Sequence, residues 1–280
     1  MTDSEIAFAK INLALHVRRR RDDGYHELET IFAFARHGDR VSALGGPPRL
    51  TIEGPFADVL RGEDPEDNLV MRAARGLYRL ADAGSPPAIH LDKRLPVAAG
   101  IGGGSADAAA VLRLLCRRLG LSIETPEVMA LAADLGADVP ACLMSRSVRG
   151  DARGDILRPI DGSGLSDIPL LLVNPGVPLS TGPVFKAWDG TDRGPLASGD
   201  PLEAALAGRN DLEPPALQLC PVIGEVIALL AAQPGCTLAR MSGSGATCFA
   251  LFESADQRDA ASEAAFAEHP GWWRLASSLR

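Results

Sequence analysis

Apolar and polar positions alternate along residues 6–17 (IAFAKINLALHV), the period-two signature of a strand. On that pattern Lys10 and Asn12 share a face with Ile6, Phe8 and Ala14, because side chains two apart point the same way. Asp23-Gly24 then separates two strand-like runs and predicts a hairpin, with Tyr25 and His26 just past its tip. The period changes at residues 68–81, where Leu69, Ala73, Leu77 and Leu80 recur at helical spacing. Residues 88–93 (AIHLDK) read as a short strand. A second helical stripe, Leu112, Leu115, Cys116 and Leu119, is closed by Gly120. A third helix starts with Thr125 as its cap and Pro126 at the first helical position, and ends near Gly136.

Residues 145–167, rich in Gly, Asp, Ser and Arg, read as a hinge between two lobes, 1–156 and 157–280. The second half resumes with a strand (IPLLLVNP), a Pro/Gly-rich loop through residue 201, and helices near 202–207 and 221–232. A strand pair around a small-residue turn follows (TLARMSGSGATCFALF), and then a final helix. Strands and helices mix throughout without an internal repeat, so the class is α/β or α+β.

Composition narrows the function. The chain has 280 residues, 46% of them hydrophobic, enough for a real core and more than the usual single domain needs. A net charge of -8 argues against a nucleic-acid binder with a basic face. Any phosphate site must therefore be local, such as a loop of backbone N–H groups. The five cysteines are odd in number and lack C-x-x-C spacing, which points to free thiols in a reducing, cytoplasmic setting. Residues 1–10 lack a basic segment followed by an apolar core, and apolar runs such as Ile168 to Val173 are too short to span a bilayer. The histidines at 16, 26, 37, 90 and 269 are dispersed, which disfavours a zinc site. Only three of the 28 basic residues are lysine, namely Lys10, Lys93 and Lys186. A position that keeps lysine in so arginine-rich a chain suits a compact ammonium better than a planar fork.

The strongest chemical signal is PVAAGIGGGSA: Pro96, Val97, Ala98, Ala99, Gly100, Ile101, Gly102, Gly103, Gly104, Ser105 and Ala106. Its glycines let backbone approach a ligand closely, and it opens into a helix whose free N–H groups and dipole suit a phosphate. It is not a Walker A loop, because no lysine precedes Ser105. Nor is it the dinucleotide fingerprint, whose third glycine position is occupied by Ser105. Lys10 is either an edge-strand lysine reaching water or, given Asn12 and its apolar neighbours, part of a lined pocket. Asp138, in GADVPACL, serves equally well on local sequence as a turn-forming side chain or as a functional carboxylate. The small-residue turn in MSGSGATCFALF is weak by itself.

In this order, AFAKINLALHV, RRDDGYHELETIF, LPVAAGIGGGSADAAAVL, GADVPACL and MSGSGATCFALF resemble the GHMP kinases over about residues 6–252. The A-K-I-N-L and D-G-Y-H-E-L segments point to the branch that phosphorylates the cytidine-diphosphate-linked methylerythritol of non-mevalonate isoprenoid synthesis. The resemblance implies an α+β, two-lobed fold with the active site in the cleft between the lobes, using ATP and Mg²⁺. Residues 96–106 would wrap the ATP phosphates, Asn68 would lie near the adenine, and Ser105 would contact the metal. Lys10 and Asp138 match the catalytic pair: Asp138 accepts or orients the hydroxyl proton, and Lys10 keeps Asp138 ionised. Tyr25, His26 and Phe185 match residues that hold the cytosine, with Asn12, Thr181 and Lys186 nearby. The implied partner is a small-molecule substrate, with neither nucleic acid nor membrane, and the protein would be a cytoplasmic monomer or weak homodimer. Three positions depart from the family pattern: Ala106 where a second serine is usual, Asp107 for asparagine and Ile101 for leucine. Asp107 puts an acid beside the phosphate loop, where the helix dipole tolerates it. A kinase for mevalonate derivatives, homoserine or a sugar would share the loop but has no use for D-G-Y-H and Phe185. A non-catalytic nucleotide-binding module has no use for Lys10 and Asp138.

Overall fold

The computed structural model describes residues 3–62, 64 and 66–280. The chain divides into two compact units, the first from residues 1–9, 37–97 and 102–145, the second from residues 10–36, 98–101 and 146–280.

In the first unit, the C-terminal end of β2 (His26–Leu44) pairs antiparallel with β4 (Ala88–Asp92), Arg40 opposite Asp92 and Leu44 opposite Ala88. The short β3 (Leu50–Glu53) lies parallel on the other side of β4. Helices α1 (Leu69–Leu80), α2 (Gly103–Leu119), α3 (Pro126–Leu135) and α4 (Val139–Met144) complete it. Of the expected α1 stripe, Ala73 and Leu77 are buried and Leu69 half-buried, but Leu80 is 44% exposed; Val70, Met71, Ala74 and Tyr78 make up the rest of the buried face. Its N-terminus is held by Asn68, whose Oδ1 accepts the Val70 N–H at 3.0 Å. Helix α2 is buried from Ala106 to Cys116 and stops at Gly120, whose φ of 68° only glycine adopts without strain. Helix α3 starts at Pro126 as expected, although Thr125 makes no side-chain cap bond. Pro140 near its start helps nucleate α4, an element the sequence pattern does not reveal. Arg113 of α2, nearly buried, donates to the carbonyls of Cys142 (2.6 Å) and Ile6 (2.7 Å), tying α4 and the start of β1 (Ser4–Arg20) to α2.

In the second unit, β1 turns into β2 where expected: the Arg21 N–H donates to the Tyr25 carbonyl at 2.8 Å and Gly24 takes a φ of 84°. Residues 28–32 of β2 pair antiparallel with β5 (Val148–Ala152), which pairs with β6 (Ile156–Pro159). The segment 145–167 is therefore not a hinge but mainly a hairpin. Its glycines are structural: a Cβ at Gly150 would lie 2.7 Å from the Phe32 ring, and Gly154 turns the chain at a φ of 87°. A four-stranded antiparallel sheet follows in the order β10 (Trp273–Ser278), β7 (Pro169–Asn174), β9 (Cys248–Phe252), β8 (Cys236–Met241). Against it lie α8 (Val222–Ala231) and α9 (Ala255–Glu268), with Leu171, Val173, Ile223, Val226, Leu230 and Phe252 in a common core. Shorter helices, α5 (Thr181–Lys186), α6 (Pro201–Ala207) and α7 (Glu213–Leu219), fill the connections. Strand β10 and helices α5 and α7 go beyond the sequence expectation, α5 lying inside the stretch expected to be loop through residue 201.

Candidate functional site

The two units carry different parts of the glycine-rich loop. Pro96, Val97 and the stretch from Gly102 onward belong to the first, and Ala98–Ile101 to the second.

In the first unit, α2 begins immediately after Gly102, which sits at a φ of 61°. The Ala106 N–H closes the first helical bond on the Gly102 carbonyl at 2.7 Å. The amides of Gly103, Gly104 and Ser105 precede that bond, and no side chain caps the end. A helix terminus in this state presents donors and a positive dipole end to an anion. Beneath it lies a buried ionic cluster. Lys93 Nζ donates to Asp39 Oδ2 at 2.6 Å and to Asp107 Oδ2 at 2.7 Å, and all three side chains are almost wholly buried. Asp39 Oδ1 also accepts the N–H groups of Arg94 (2.5 Å) and Leu95 (2.7 Å). The chain entering the loop and the helix leaving it are thus tied to one carboxylate on β2. A Cβ on Gly103 would come within 3.2 Å of Lys93 Nζ, so the cluster leaves no slack there.

Burial pushes Asp107 up, Lys93 pulls it back and Asp39 adds to the rise, leaving the carboxyl at about 7. Burial alone would lower Lys93, but the carboxylates of Asp107 and Asp39 outweigh it and raise it. The expectation that Asp107 sets an acid beside the phosphates is corrected here, because its carboxyl is 3% exposed and engaged with Lys93. Asn68 sits at the edge of a groove of about 240 Å³ whose walls include Leu50, Ile52, Leu60 and Arg61. Asp138 stands at the cap position of α4, where its carbonyl accepts the Cys142 N–H at 3.0 Å and its half-buried carboxylate does not cap the helix.

In the second unit, Ala98–Ile101 is seated on the turn between β8 and β9. Ser242 Oγ donates to the Gly100 carbonyl and the Thr247 N–H to the Ala99 carbonyl, each at 3.1 Å, and the Lys10 N–H donates to the Ile101 carbonyl at the same distance. A Cβ on Gly100 would lie 2.6 Å from the carbonyl oxygens of both Ser242 and Gly245, so backbone meets backbone. The small-residue turn, weak as a sequence signal, is the seat of the glycine-rich loop. Lys10 is 4% exposed, which removes the water-reaching alternative. Its Nζ donates to Asn12 Oδ1 at 3.0 Å and lies 5.2 Å from the Phe32 ring centre. Asn12 is itself fixed, with Nδ2 donating to Thr30 Oγ1 at 2.8 Å, which in turn donates to the Ala14 carbonyl at 2.6 Å.

The same unit gathers most residues of the expected base-binding set. The His26 ring faces that of Phe185, centroids 4.9 Å apart, and its Nε2 is buried without a hydrogen-bond partner. Burial, then the Arg20 charge, lower the His26 pKa and favour the neutral ring. Tyr25 is 53% exposed, with the Arg153 guanidinium 4.9 Å above its ring. Thr181 and Phe185 are one helical turn apart on α5, and Thr181 Oγ1 lies 3.0 Å from Ser244 Oγ. Lys186, the last residue of α5, is exposed. Sequence reasoning missed Asp39, Ser242, Trp188 and the engagement of Asp107. For Lys93 a signal existed, since it is one of only three lysines.

Comparison with known proteins places this arrangement in a class. The model of the GHMP kinases N terminal domain matches residues 68–146, and that of the GHMP kinases C terminal region matches residues 196–270. A protein of Rhizorhabdus wittichii named 4-diphosphocytidyl-2-C-methyl-D-erythritol kinase is 70% identical over all of this chain and 96% of its own length. One of the same name from Novosphingobium aromaticivorans is 53% identical, over the whole chain and 94% of its own length. A crystal structure of 4-(cytidine 5'-diphospho)-2C-methyl-D-erythritol kinase superposes with a TM-score of 0.81 at 35% identity, covering 99% of this chain and 98% of that one. A homoserine kinase from Cytophaga hutchinsonii (TM-score 0.68, 18% identity, covering 100% of this chain and 96% of that one) shares the fold. The chain belongs to the 4-diphosphocytidyl-2-C-methyl-D-erythritol kinases of the GHMP superfamily.

Proposed function

We propose that the chain transfers the γ-phosphoryl group of ATP to the 2-hydroxyl of 4-diphosphocytidyl-2-C-methyl-D-erythritol, giving the 2-phosphate and ADP. The observation that carries the substrate is the half-buried His26, packed on Phe185 at 4.9 Å between centroids with the rings tilted by 37°, and with an unpartnered Nε2. A flat ring and a free imidazole nitrogen suit a nucleobase, which is stacked on one side and hydrogen-bonded at its edge. Mevalonate, homoserine and sugars offer no such ring. Tyr25, Asn12, Thr181 and Lys186 complete the substrate contacts.

On the nucleotide side, residues 96–106 cradle the phosphates. The uncapped start of α2 supplies donors, and the groove beside Asn68 accepts the base. Ser105, in the first turn of α2, would be the contact from the chain to a Mg²⁺ ion carried by the phosphates. The bound ion would neutralise charge on the phosphates. Asp138 orients the attacking hydroxyl and takes its proton, while Lys10, fixed through Asn12 and Thr30, offsets charge building on the transferred group. All five cysteines are free and no described helix is long and apolar enough to cross a membrane, features that suit a cytoplasmic enzyme.

The test is ADP release with ATP, Mg²⁺ and the cytidine substrate, with mevalonate, homoserine and galactose in parallel. Turnover with the cytidine substrate alone is expected. Turnover only with another alcohol would leave the kinase fold standing and overturn the reading of His26 and Phe185.

A further inference from the structure

His26 has a second aromatic neighbour besides Phe185. The Trp188 ring stands edge-on to the imidazole, 83° between planes and 5.6 Å between centroids, where Phe185 is tilted by 37°. Phe185 and Trp188 are three residues apart around the end of α5, so one short backbone segment sets both rings. That segment is strapped down by β1: Arg20 Nη2 donates to the carbonyls of Lys186 (3.0 Å) and Trp188 (3.1 Å). An arginine at this point satisfies carbonyls that the helix end leaves open. Trp188 is 3% exposed and its Nε1 has no partner. Burying an unpaired N–H costs stability that leucine or phenylalanine would not cost, so filling space is a poor reason for indole here.

We infer that Trp188 is a positioning residue for His26: its ring, carried on a backbone segment that Arg20 holds, fixes the imidazole against Phe185 at the angle at which it meets the base. The inference rests on the reading of His26 as a base contact. Trp188 does not touch the reacting atoms, so its loss weakens substrate capture without slowing chemistry.

The test is steady-state kinetics with the cytidine substrate and ATP varied in turn. Trp188→Leu raises KM for the cytidine substrate about 3- to 10-fold, the range of an edge-to-face aromatic pair. It leaves kcat and KM for ATP within about twofold, as expected for loss of binding shared by ground and transition states. Trp188→Phe, which keeps an aromatic ring in place, restores most of the affinity. Arg20→Gln, which unfastens the segment without opening the core, moves the same KM in the same direction by a smaller factor. An unchanged KM in both Trp188→Leu and Arg20→Gln overturns the inference, and so does a joint loss of kcat and both KM values. If Trp188→Leu does not fold, Arg20→Gln decides alone. His26→Ala separates the two layers: a raised KM there with unchanged Trp188 and Arg20 variants sinks only the positioning role. An unchanged KM in His26→Ala sinks the base-contact reading as well.

Discussion

Lys93 and Lys10 are both buried lysines beside glycine-rich loop residues, one in each unit, and the contacts that fix each of them do different work. Lys93 spends its ammonium on two carboxylates, Asp39 and Asp107, and Asp39 also grips two backbone N–H groups at the loop entrance. Lys10 donates to a neutral amide oxygen, Asn12 Oδ1, which is itself fixed by Thr30. The Lys93 contacts bridge the loop entrance, β2 and α2, so that ammonium contributes shape. The Asn12–Thr30 chain sets where the Lys10 ammonium stands. What a buried lysine's contacts connect, and not its burial, is the guide to its role.

The difference breaks if Lys10 proves to be mainly structural. Lys10→Met is expected to lower kcat at least ~10²-fold, the scale of losing a transition-state charge partner. The variant should still fold and unfold in one cooperative denaturant transition. Asp138→Asn should lower kcat on the same scale. Near-normal turnover in both variants, measured by ADP release, would remove them from the chemistry.

Lys93→Met tests the other side. It leaves two carboxylates in the interior without their cation, so the unfolding free energy should fall by about 3–5 kcal/mol. That is a large share of the roughly 5–15 kcal/mol typical of a folded domain. Denaturant titration reads this directly. A stable Lys93→Met protein whose only defect is turnover would make Lys93 a second chemical lysine and erase the contrast.

What the sequence made legible follows from how local each signal is. The β1–β2 hairpin, helix α1, the loop-to-α2 transition and the Pro126 start of α3 are written in adjacent residues, and all are present. The β5–β6 hairpin reads as a hinge in sequence because Gly150 and Gly154 look like flexibility when isolated. They are glycine because the Phe32 ring, far away in sequence, stands against them. The same limit explains the site. Lys10, Asn12 and His26 lie in dense local motifs, whereas the Asp39–Lys93–Asp107 cluster joins positions up to 68 residues apart by numbers that carry no pattern. The seat of the glycine loop on Ser242 and Gly245 was equally invisible, since only backbone approach defines it.

The finest test of the contrast is Asp107→Asn. If Lys93 is a structural ion held by two competing carboxylates, one of them must be reluctant to ionise, and burial with Asp39 nearby makes it Asp107, at about 7. The unfolded chain would release that proton near pH ~4. Between the two values the folded protein binds more protons than the unfolded one, so this group's contribution to stability falls as pH rises through the window and then levels off. Asparagine keeps an oxygen for Lys93 Nζ but has no proton to lose. The unfolding free energy of Asp107→Asn should therefore gain on wild type from pH ~4 to 7, by at least about 1 kcal/mol, roughly the worth of one pKa unit. Denaturant midpoints measured across that range decide it. A difference that shrinks with rising pH would mean that Asp107 is an ordinary ion-pair carboxylate, depressed by Lys93, and that the ammonium is shared far less evenly than the two short contacts suggest.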